Sequence, residues 1–448
     1  MPTPSITLPG RRDTPALLAL GLAGLCAFFN VYATQPLLPL LAQVFDISKA
    51  QAAWTVSAPP IAVALASPFA GAVAGRVGRR RMIVLSLVAL ACATGLAATA
   101  ASLPQLVFWR FVQGLAVPGV YAVAVGYIGE VWQGRGVARA MSALITGNVV
   151  GGFLGRLVAG LAAGAWGWRS AFVALALLTV VGAALTARWL PPEPARTEPP
   201  ANPLAALRAL SARLDARLAA TFVVGFNVLF TLVATFTYVT FHLSGAPFHL
   251  GPGTLSSIFA VYLVGALVTP FAGRWIDEVG SRRALVASLL LAVAGVLLTL
   301  VPSVAAVVVG LAACCTAAFV CQAASTSFLQ VAAPREVRPA AAGVYVSCYY
   351  VGGSVGGVLP AAAWRLGGWP ACVALVVAVQ LATIALALRS WHAQSSVRPE
   401  RGAAESKGAP RLHRCAAEPV LSGARAAGGV EGLSANGRRA ARPVSSPP

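Results

Sequence analysis

Long apolar segments alternate with short polar segments along most of the chain. Each apolar segment has about 20 residues or more, enough to cross a hydrocarbon core of roughly 30 Å as an α-helix. Because lipid offers no hydrogen-bond partner to backbone N–H and C=O groups, these segments are expected to be helical. We predict twelve spans, at residues 16–42, 51–74, 82–102, 105–128, 138–162, 169–190, 218–243, 254–275, 284–302, 304–330, 339–361 and 369–390.

The composition agrees with a membrane protein. Of the 448 residues, 58% are hydrophobic and only 10% are charged, whereas a soluble domain carries about 25% charged residues. Seven of the eight cysteines fall inside apolar segments and none forms a CxxC pair, so we interpret them as packing residues and not as disulfides or metal ligands. The predicted class is an all-α, polytopic membrane protein.

The chain repeats itself once at half its length. The loop of residues 71–80 returns at residues 273–282, and each copy joins two spans. A second pair, Gly151-Gly152-x-x-Gly155 and Gly352-Gly353-x-x-Gly356, follows at nearly the same offset. A membrane protein with such a repeat is typical of a transporter built from two bundles. We therefore predict two pseudo-symmetric six-helix bundles.

These observations give a domain plan. We expect a cytoplasmic N-terminus, a first bundle, a proline-rich cytoplasmic linker, a second bundle and a disordered, basic cytoplasmic tail, at residues 1–15, 16–190, 191–217, 218–391 and 392–448.

The net charge of +20 does not indicate nucleic-acid binding, because the basic residues are concentrated in alternate loops, the linker and the tail. By the positive-inside rule, those loops and both termini are expected in the cytoplasm. The lipid bilayer is thus the expected surrounding of the chain, and we expect a monomer.

The repeated loops carry a recognisable pattern. The first has Gly71, Gly78 and Arg80, and the second has Gly273, Gly280 and Arg282 at the same spacing. The arginines can act as topology anchors, and glycine permits unusual backbone angles in a short turn. The pattern also resembles the loop signature of the major facilitator superfamily, and the resemblance extends over residues 16–390. It implies the fold with twelve transmembrane helices and a role in gating for Gly78, Arg80, Gly280 and Arg282.

The resemblance also implies a latch. In that family an acidic residue at the fifth position of the loop interacts with the positive end of a helix from the other bundle and holds the outward-open state. Asp277 occupies this position in the second copy, and we expect it to hold the N-terminus of the fifth span. Gly75 stands at that position in the first copy, which has lost the carboxylate.

Span 4 contains Arg110-x-x-Gln113-Gly114. A charged side chain inside a span is costly and is expected to face protein or a water-filled cavity. The motif resembles one of proton-coupled exporters in the same superfamily, which implies that Arg110 takes part in substrate binding or coupling and that Gln113 lies nearby. A snorkelling arginine at the outer interface is the alternative.

Span 5 contains glycines four residues apart together with Asn148 and Arg156. Such glycines share one helical face and permit close helix approach, which we expect at the interface between the bundles. The run resembles the glycine-rich fifth helix of the exporter branch. Asn148 is expected to line a cavity or pair across helices, and Arg156 is a candidate for coupling, with a near-surface position as the alternative.

Span 1 contains Asn30, Tyr32, Gln35 and Pro36. Pro36 removes a helix donor and is expected to bend the span, so that the three polar side chains face a central cavity. The segment is similar to the first helix of exporters of the arabinose-efflux and drug-efflux type. The approximate counterpart in span 7 is Asn227, and Tyr349 of span 11 is expected to add an aromatic wall, with packing as the alternative.

No Asp or Glu lies deep within a predicted span. Asp46, at the outer end of span 1, and Glu130, at the inner end of span 4, are the candidates for a titratable group. Proton coupling is implied by the resemblance to exporters. No carboxylate deep within a predicted span supports it.

The chain contains no GxxxxGK[ST] phosphate loop and no HExxH motif, so an ATP-driven pump and a metalloenzyme are disfavoured. We expect no enzyme activity and no cofactor. The expected function is secondary export of a small organic solute across a bacterial inner membrane, in exchange for protons. The solute is sugar-like, amphipathic and drug-like, or an anion. A facilitator or importer of the same fold, and a membrane sensor that binds solute without moving it, remain as alternatives.

Overall fold

The computed structural model describes residues 13–132, 136–193, 203–334 and 336–391. The predicted tail, nearly all of the predicted N-terminal segment and part of the predicted linker lie outside these ranges. Every regular element of the described chain is a helix. The described residues belong to one compact unit, which contains both halves.

The first half runs from α1 to α7, and α8 lies in the connection to the second half. Their bounds are α1 (Asp13–Val31), α2 (Leu38–Val44), α3 (Lys49–Val77), α4 (Arg79–Ala98), α5 (Leu103–Val131), α6 (Val137–Trp166), α7 (Trp168–Trp189) and α8 (Pro203–Ser211). The second half contains α9 (Ala216–Ser244), α10 (Pro252–Ile258), α11 (Val261–Val279), α12 (Ser281–Leu298), α13 (Val304–Ala332), α14 (Arg338–Val358) and α15 (Pro360–Ser390).

These helices account for the twelve predicted spans. Ten helical segments of the described chain are long and apolar enough to cross a membrane. The other two predicted spans, residues 254–275 and 339–361, are divided between α10 and α11 and between α14 and the start of α15. α15 also contains the turn into span 12, since Gly367 and Gly368 have non-helical backbone angles.

Span 1 is broken near its middle. α1 ends at Val31, a 3-10 turn covers Gln35–Leu37, and α2 begins at Leu38. The bend predicted from Pro36 is therefore present, and the break leaves the last carbonyls of α1 without helical partners.

Glycines bring two pairs of helices into backbone contact, one pair in each half. Gly151 of α6 lies against the backbone of Leu25 in α1, and Gly352 of α14 lies against the backbone of Phe226 in α9. The predicted close approach is thus present, but the motif glycines Gly147, Gly151 and Gly155 pack within the first half, whereas Gly160 of the same span packs against Ser256 of the second half. The motif glycines pack there because they face α1 of their own bundle. Gly357 differs from Gly352, since it lies against Ser57 of the first half.

The two repeated loops stabilise equivalent helix ends. Gly78 and Gly280 have positive φ values of 95° and 85°, which glycine adopts without steric cost. Arg80 donates to the carbonyls of Ala187 and Leu190 at the end of α7, both at 2.7 Å. Arg282 donates to the carbonyl of Leu388 at the end of α15, at 2.9 Å. Both arginines therefore neutralise the negative end of the last helix in their half.

The two halves meet along a seam formed by residues from α2, α3 and α6 on one side and α9, α10 and α14 on the other. Ser354 Oγ donates to the carbonyl of Ser57 at 2.9 Å, and Gln35 Nε2 donates to Thr237 Oγ1 at 3.2 Å. Lys49 Nζ lies 4.1 Å from the ring centroid of Trp364. These contacts all involve the helix portions that the sequence predicts toward the outer face.

Candidate functional site: a tyrosine-rich cavity between the halves

A cavity of about 220 Å³ lies between the two halves. Residues of α1, α5 and α6 and the Tyr32 segment form one wall, and residues of α9, α11, α13 and α14 form the other. Six of the chain's eight tyrosines line it, namely Tyr32, Tyr121, Tyr262, Tyr345, Tyr349 and Tyr350. Aromatic side chains are therefore a major part of the cavity lining, beside aliphatic side chains such as Leu229 and Val233.

Three residues predicted for the substrate cavity do line it: Tyr32, Asn148 and Tyr349. The Asn148 amide, oriented with its nitrogen toward α1, donates to the carbonyls of Leu144 and Gly24 at 3.2 and 3.1 Å. Tyr32 Oη is buried and has no hydrogen-bond partner among the described residues. Tyr32 therefore lines the cavity with its hydroxyl enclosed by protein and unpaired in this conformation.

Arg156, predicted as a coupling residue, also lines the cavity and is only 2% exposed. Its Nε donates to Gln35 Oε1 at 2.7 Å, and Nη1 donates to the carbonyl of Gly152. Its guanidinium carbon lies 4.5 Å from the ring centroid of Tyr262 and 5.1 Å from those of Tyr32 and Phe259. Burial excludes the near-surface alternative, because the side chain lies between the two halves.

Gln35 lies directly behind this arginine. It is completely buried and links Arg156 to Thr237 of the second half through its two amide atoms. Gln35 is therefore a bridge between the cavity and the seam and does not itself line the cavity.

Arg110, Gln113 and Asn30 are placed differently from the prediction. They lie in the core of the first half and are not among the residues that line the cavity. Arg110 donates to the carbonyls of Asn30 at 2.7 Å, of Thr55 at 2.9 Å and of Val31, and also to Gln113 Oε1 at 2.5 Å. The physical reason is the break in span 1, since Arg110 satisfies the carbonyls that end α1.

The rest of this network connects two further helices, α4 and α7. The Asn30 amide donates to Thr179 Oγ1 at 3.0 Å, and its oxygen accepts from Thr94 Oγ1 at 3.0 Å. Gln113 donates to Thr94 Oγ1 at 2.7 Å. The side chains thus satisfy one another inside the bundle, which is what buried polar groups require.

Asn227 occupies an equivalent place in the second half. Its amide donates to Gln380 Oε1 at 2.7 Å, and Gln380 in turn donates to Thr231 Oγ1 at 3.0 Å. Asn227 is therefore a packing residue between α9 and α15. The prediction that it lines the main cavity is wrong.

The two predicted titratable residues also lie away from the cavity lining. Asp46 is exposed, next to the end of α2. Glu130 lies near the end of α5 and accepts from Arg79 at 2.9 Å. The structure therefore brings neither carboxylate to Arg110 or Arg156.

The second loop and the first loop differ in their carboxylates. Asp277 is exposed and makes no hydrogen bond or ion pair with the described part of the chain, so its predicted latch to the fifth span is absent in this conformation. In the first loop, where Gly75 replaces the acid, Glu193 accepts from the backbone N–H of Arg79 at 2.8 Å. Glu193 thus supplies a carboxylate to the N-terminus of α4.

Sequence reasoning missed several of these residues. Tyr121, Tyr262 and Gln322 line the cavity without belonging to a motif, and Glu193 lies in a proline-rich segment that the sequence presents as a linker. A usable signal existed for the first three, because each is a hydrogen-bonding side chain within an apolar span.

Comparisons with known proteins agree with this architecture. A sequence profile described as Major Facilitator Superfamily matches residues 20–357 and 245–427. The chain is 28% identical over 397 residues to the MFS-type transporter YybF of Bacillus subtilis, covering 87% of this chain and 97% of that protein. It is also 28% identical over 393 residues to the inner membrane transport protein YnfM of Escherichia coli, covering 86% and 94%.

A solved structure shares the fold. The crystal structure of a bacterial homologue of the human lysosomal transporter Spinster, in an inward-facing and unoccupied conformation, superposes with a TM-score of 0.68. The identity is 16%, and the match covers 86% of this chain and 96% of that one. The predicted fold of two pseudo-symmetric six-helix bundles is confirmed.

Proposed function

Since the chain belongs to the major facilitator superfamily, a family of transporters and not of enzymes, we propose that it exports a small organic solute by alternating access, in exchange for protons. The cavity between the halves carries this proposal, because alternating access moves two bundles around a central site. Arg156, Tyr32 and Tyr349 are the proposed contacts for the solute.

The conformation is inward-facing in this proposal. The contacts of the seam lie toward the predicted outer face, at Ser57, Ser354 and Lys49. Toward the predicted inner face, an added Cβ at Gly71, Gly273 or Gly343 meets nothing within 4 Å. The unbound state of Asp277 agrees with this assignment, since its latch belongs to the outward-open state.

Export and proton exchange rest on the resemblance of the span-1, span-4 and span-5 motifs to exporters. The bacterial inner membrane as location rests on the same resemblance and on the relatives from bacteria. Cytoplasmic termini rest on the loop charges. A monomer is proposed because one chain supplies both walls of the cavity.

One observation favours a second candidate, a facilitator that ignores the proton gradient. Among the described residues that line the cavity, none is Asp, Glu or His. A proton antiporter normally needs a titratable group that changes exposure between states, so proton exchange requires a group outside this lining.

Uptake into inverted membrane vesicles with an acidic lumen tests the proposal. Radiolabelled sugars, neutral amphiphiles and organic anions are added with and without a protonophore, and the cavity variant Tyr349→Ala is compared with Leu366→Ala, whose side chain is 88% exposed. The proposal predicts uptake that the protonophore abolishes and that only the cavity variant impairs. Uptake that ignores the gradient identifies a facilitator, and binding without uptake identifies a sensor.

A further inference from the structure

Two arginines are buried in the described chain, and they differ in how their donors are used. Arg110 has hydrogen-bond acceptors at all three nitrogens. Arg156 uses Nε and Nη1, while Nη2 makes no hydrogen bond with the described residues. A guanidinium carries five N–H donors, so Arg156 retains donor capacity at the cavity that it lines.

The charge of Arg156 is also uncompensated. No carboxylate lines the described cavity, and the ion pair found in the described chain joins Arg79 to Glu130 elsewhere. The rings of Tyr262, Tyr32 and Phe259 attract the cation from three sides, but such contacts are weaker than a charge-assisted hydrogen bond. A buried, unpaired cation favours an anion as its partner.

The rest of the cavity constrains the shape of that anion. Six tyrosines lie in the walls, and aromatic faces and edges pack well against another ring. The ring of Tyr32 lies 5.1 Å from the guanidinium carbon of Arg156 and contributes to this aromatic surface. The volume of about 220 Å³ lies below the roughly 300–1,000 Å³ of sites for drug-sized ligands. The fit is to a small planar molecule and not to a bulky amphiphile.

From these observations we propose that the solute is a small aromatic organic anion, whose carboxylate or similar group binds Arg156 and whose ring packs against the tyrosines. The inference rests on the proposed function in taking this cavity as the solute site. It narrows the proposed substrate class to organic anions and disfavours sugars and neutral drug-like amphiphiles.

Arg156 has an informative counterpart in the repeat. The segment Gly151-Gly152-x-x-Gly155-Arg156 corresponds to Gly352-Gly353-x-x-Gly356-Gly357, so Gly357 stands where the second half would place the arginine. Gly357 packs against Ser57 at the seam. The positive charge is therefore a property of the first half alone, and the helix packing of the fold does not require it.

The test is calorimetric titration of the purified full chain in phosphatidylcholine nanodiscs, where no lipid carries a net charge. The probes are benzoate, phenylacetate and 4-hydroxybenzoate, each compared with its neutral primary alcohol. At least one acid is expected to bind about 10-fold more tightly than its alcohol, as a charge-assisted hydrogen bond implies. Failure of all three acids, or equal affinity for acid and alcohol, overturns the proposal.

Variants separate recognition from folding. Arg156→Gln is expected to lose the preference for the acid, Arg156→Lys to keep part of it, and Arg365→Gln, which removes an exposed charge, to leave it unchanged. The melting temperature of each variant reports folding independently. Tight binding of the acid by a folded Arg156→Gln variant overturns the assignment of Arg156.

Flux separates this inference from the proposed function. If reconstituted protein carries neutral solutes equally well with and without Arg156, the anion proposal fails and the transporter remains. If aromatic acids bind through Arg156 but no solute crosses the bilayer, the anion site stands and the proposed export fails.

Discussion

In the first half, Gly151 brings α6 onto the backbone of α1, and in the second half Gly352 brings α14 onto the backbone of α9. Each half also joins its first and last spans through a buried asparagine, Asn30 to Thr179 and Asn227 to Gln380. The polar content differs, because both buried arginines of the described chain belong to the first half. Helix packing is thus shared by the repeats, whereas charge is specific to one of them.

This difference separates residues that build the bundle from residues that serve its site. A feature present in both halves, such as Arg80 and Arg282 at the ends of the last helices, is explained by folding. A feature of one half requires a local reason. For Arg110 the reason is the broken α1, and for Arg156 it is the cavity.

The largest effect is expected from removing the network that only the first half possesses. Arg110→Met leaves the carbonyl of Val31 and Oε1 of Gln113 unpaired, each at about 1–3 kcal/mol. The carbonyls of Asn30 and Thr55 keep only longer bonds, from the Ala33 N–H at 3.5 Å and Thr34 Oγ1 at 3.3 Å. The free energy of unfolding should therefore fall by about 3 kcal/mol or more. Asn227→Leu in the second half should have a smaller effect, about 1–3 kcal/mol. Denaturant unfolding in micelles measures both, and an Arg110→Met variant of unchanged stability would refute the structural role.

A second pair of variants tests whether the shared packing is equally important in both halves. The methyl group of Gly151→Ala meets the backbone of Leu25, and that of Gly352→Ala meets the backbone of Phe226. Overpacking of this kind lowers stability by about 1–3 kcal/mol. Gly71→Ala and Gly343→Ala are matched controls, because their added methyl groups meet nothing within 4 Å. If the melting temperature falls for only one of the two variants Gly151→Ala and Gly352→Ala, the two repeats pack differently.

A smaller effect is expected at the seam where the halves meet. Lys49 of the first half lies over the rings of Trp364 and Phe241 of the second. Lys49→Met keeps the apolar stem and removes an attraction of about 0.5–1 kcal/mol. We expect faster hydrogen exchange at residues 53–58 and 354–358 by mass spectrometry, with Arg365→Gln unchanged. Slower or equal exchange in the lysine variant would contradict a stabilising contact.

The smallest effect, on the rate of transport, is expected at Asp277 in the second repeated loop. A carboxylate at a helix N-terminus contributes about 0.3–1 kcal/mol. Asp277→Asn should therefore slow transport by roughly 2- to 5-fold and leave membrane insertion intact. Gly75→Asp restores the acid in the first loop and should not rescue the variant, since Glu193 already supplies a carboxylate near α4. Unchanged flux in Asp277→Asn vesicles would exclude the latch.

The sequence predicts the spans well because span length and apolarity follow directly from the thickness of the bilayer. It also predicts that the glycine faces approach another helix closely, since spacing by four fixes one helical face, but it does not predict which helix they meet. The sequence does not predict whether a polar side chain within a span faces the cavity or a neighbouring helix. Helices in lipid are apolar on all sides, so composition does not distinguish the side that faces a cavity from the side that faces a neighbour.

Asn30 and Gln113 illustrate the failure. Both are polar residues in apolar spans, and a polar lining was a reasonable expectation, yet both are paired inside the first bundle. Tyr262 illustrates the converse, because it contacts Arg156 only through the packing of α11 on α6. Such pairings depend on tertiary structure that no single segment encodes.

Gln35 connects recognition to motion. Its oxygen accepts from Arg156 and its nitrogen donates to Thr237, so a single amide is shared by the charged end of the cavity and the opposite bundle. A solute anion that draws the guanidinium toward itself removes one of the two partners that hold this amide in place. In the proposed transport cycle, solute binding would then weaken the contact between the halves through one side chain, and Gln35 would couple occupancy of the cavity to opening.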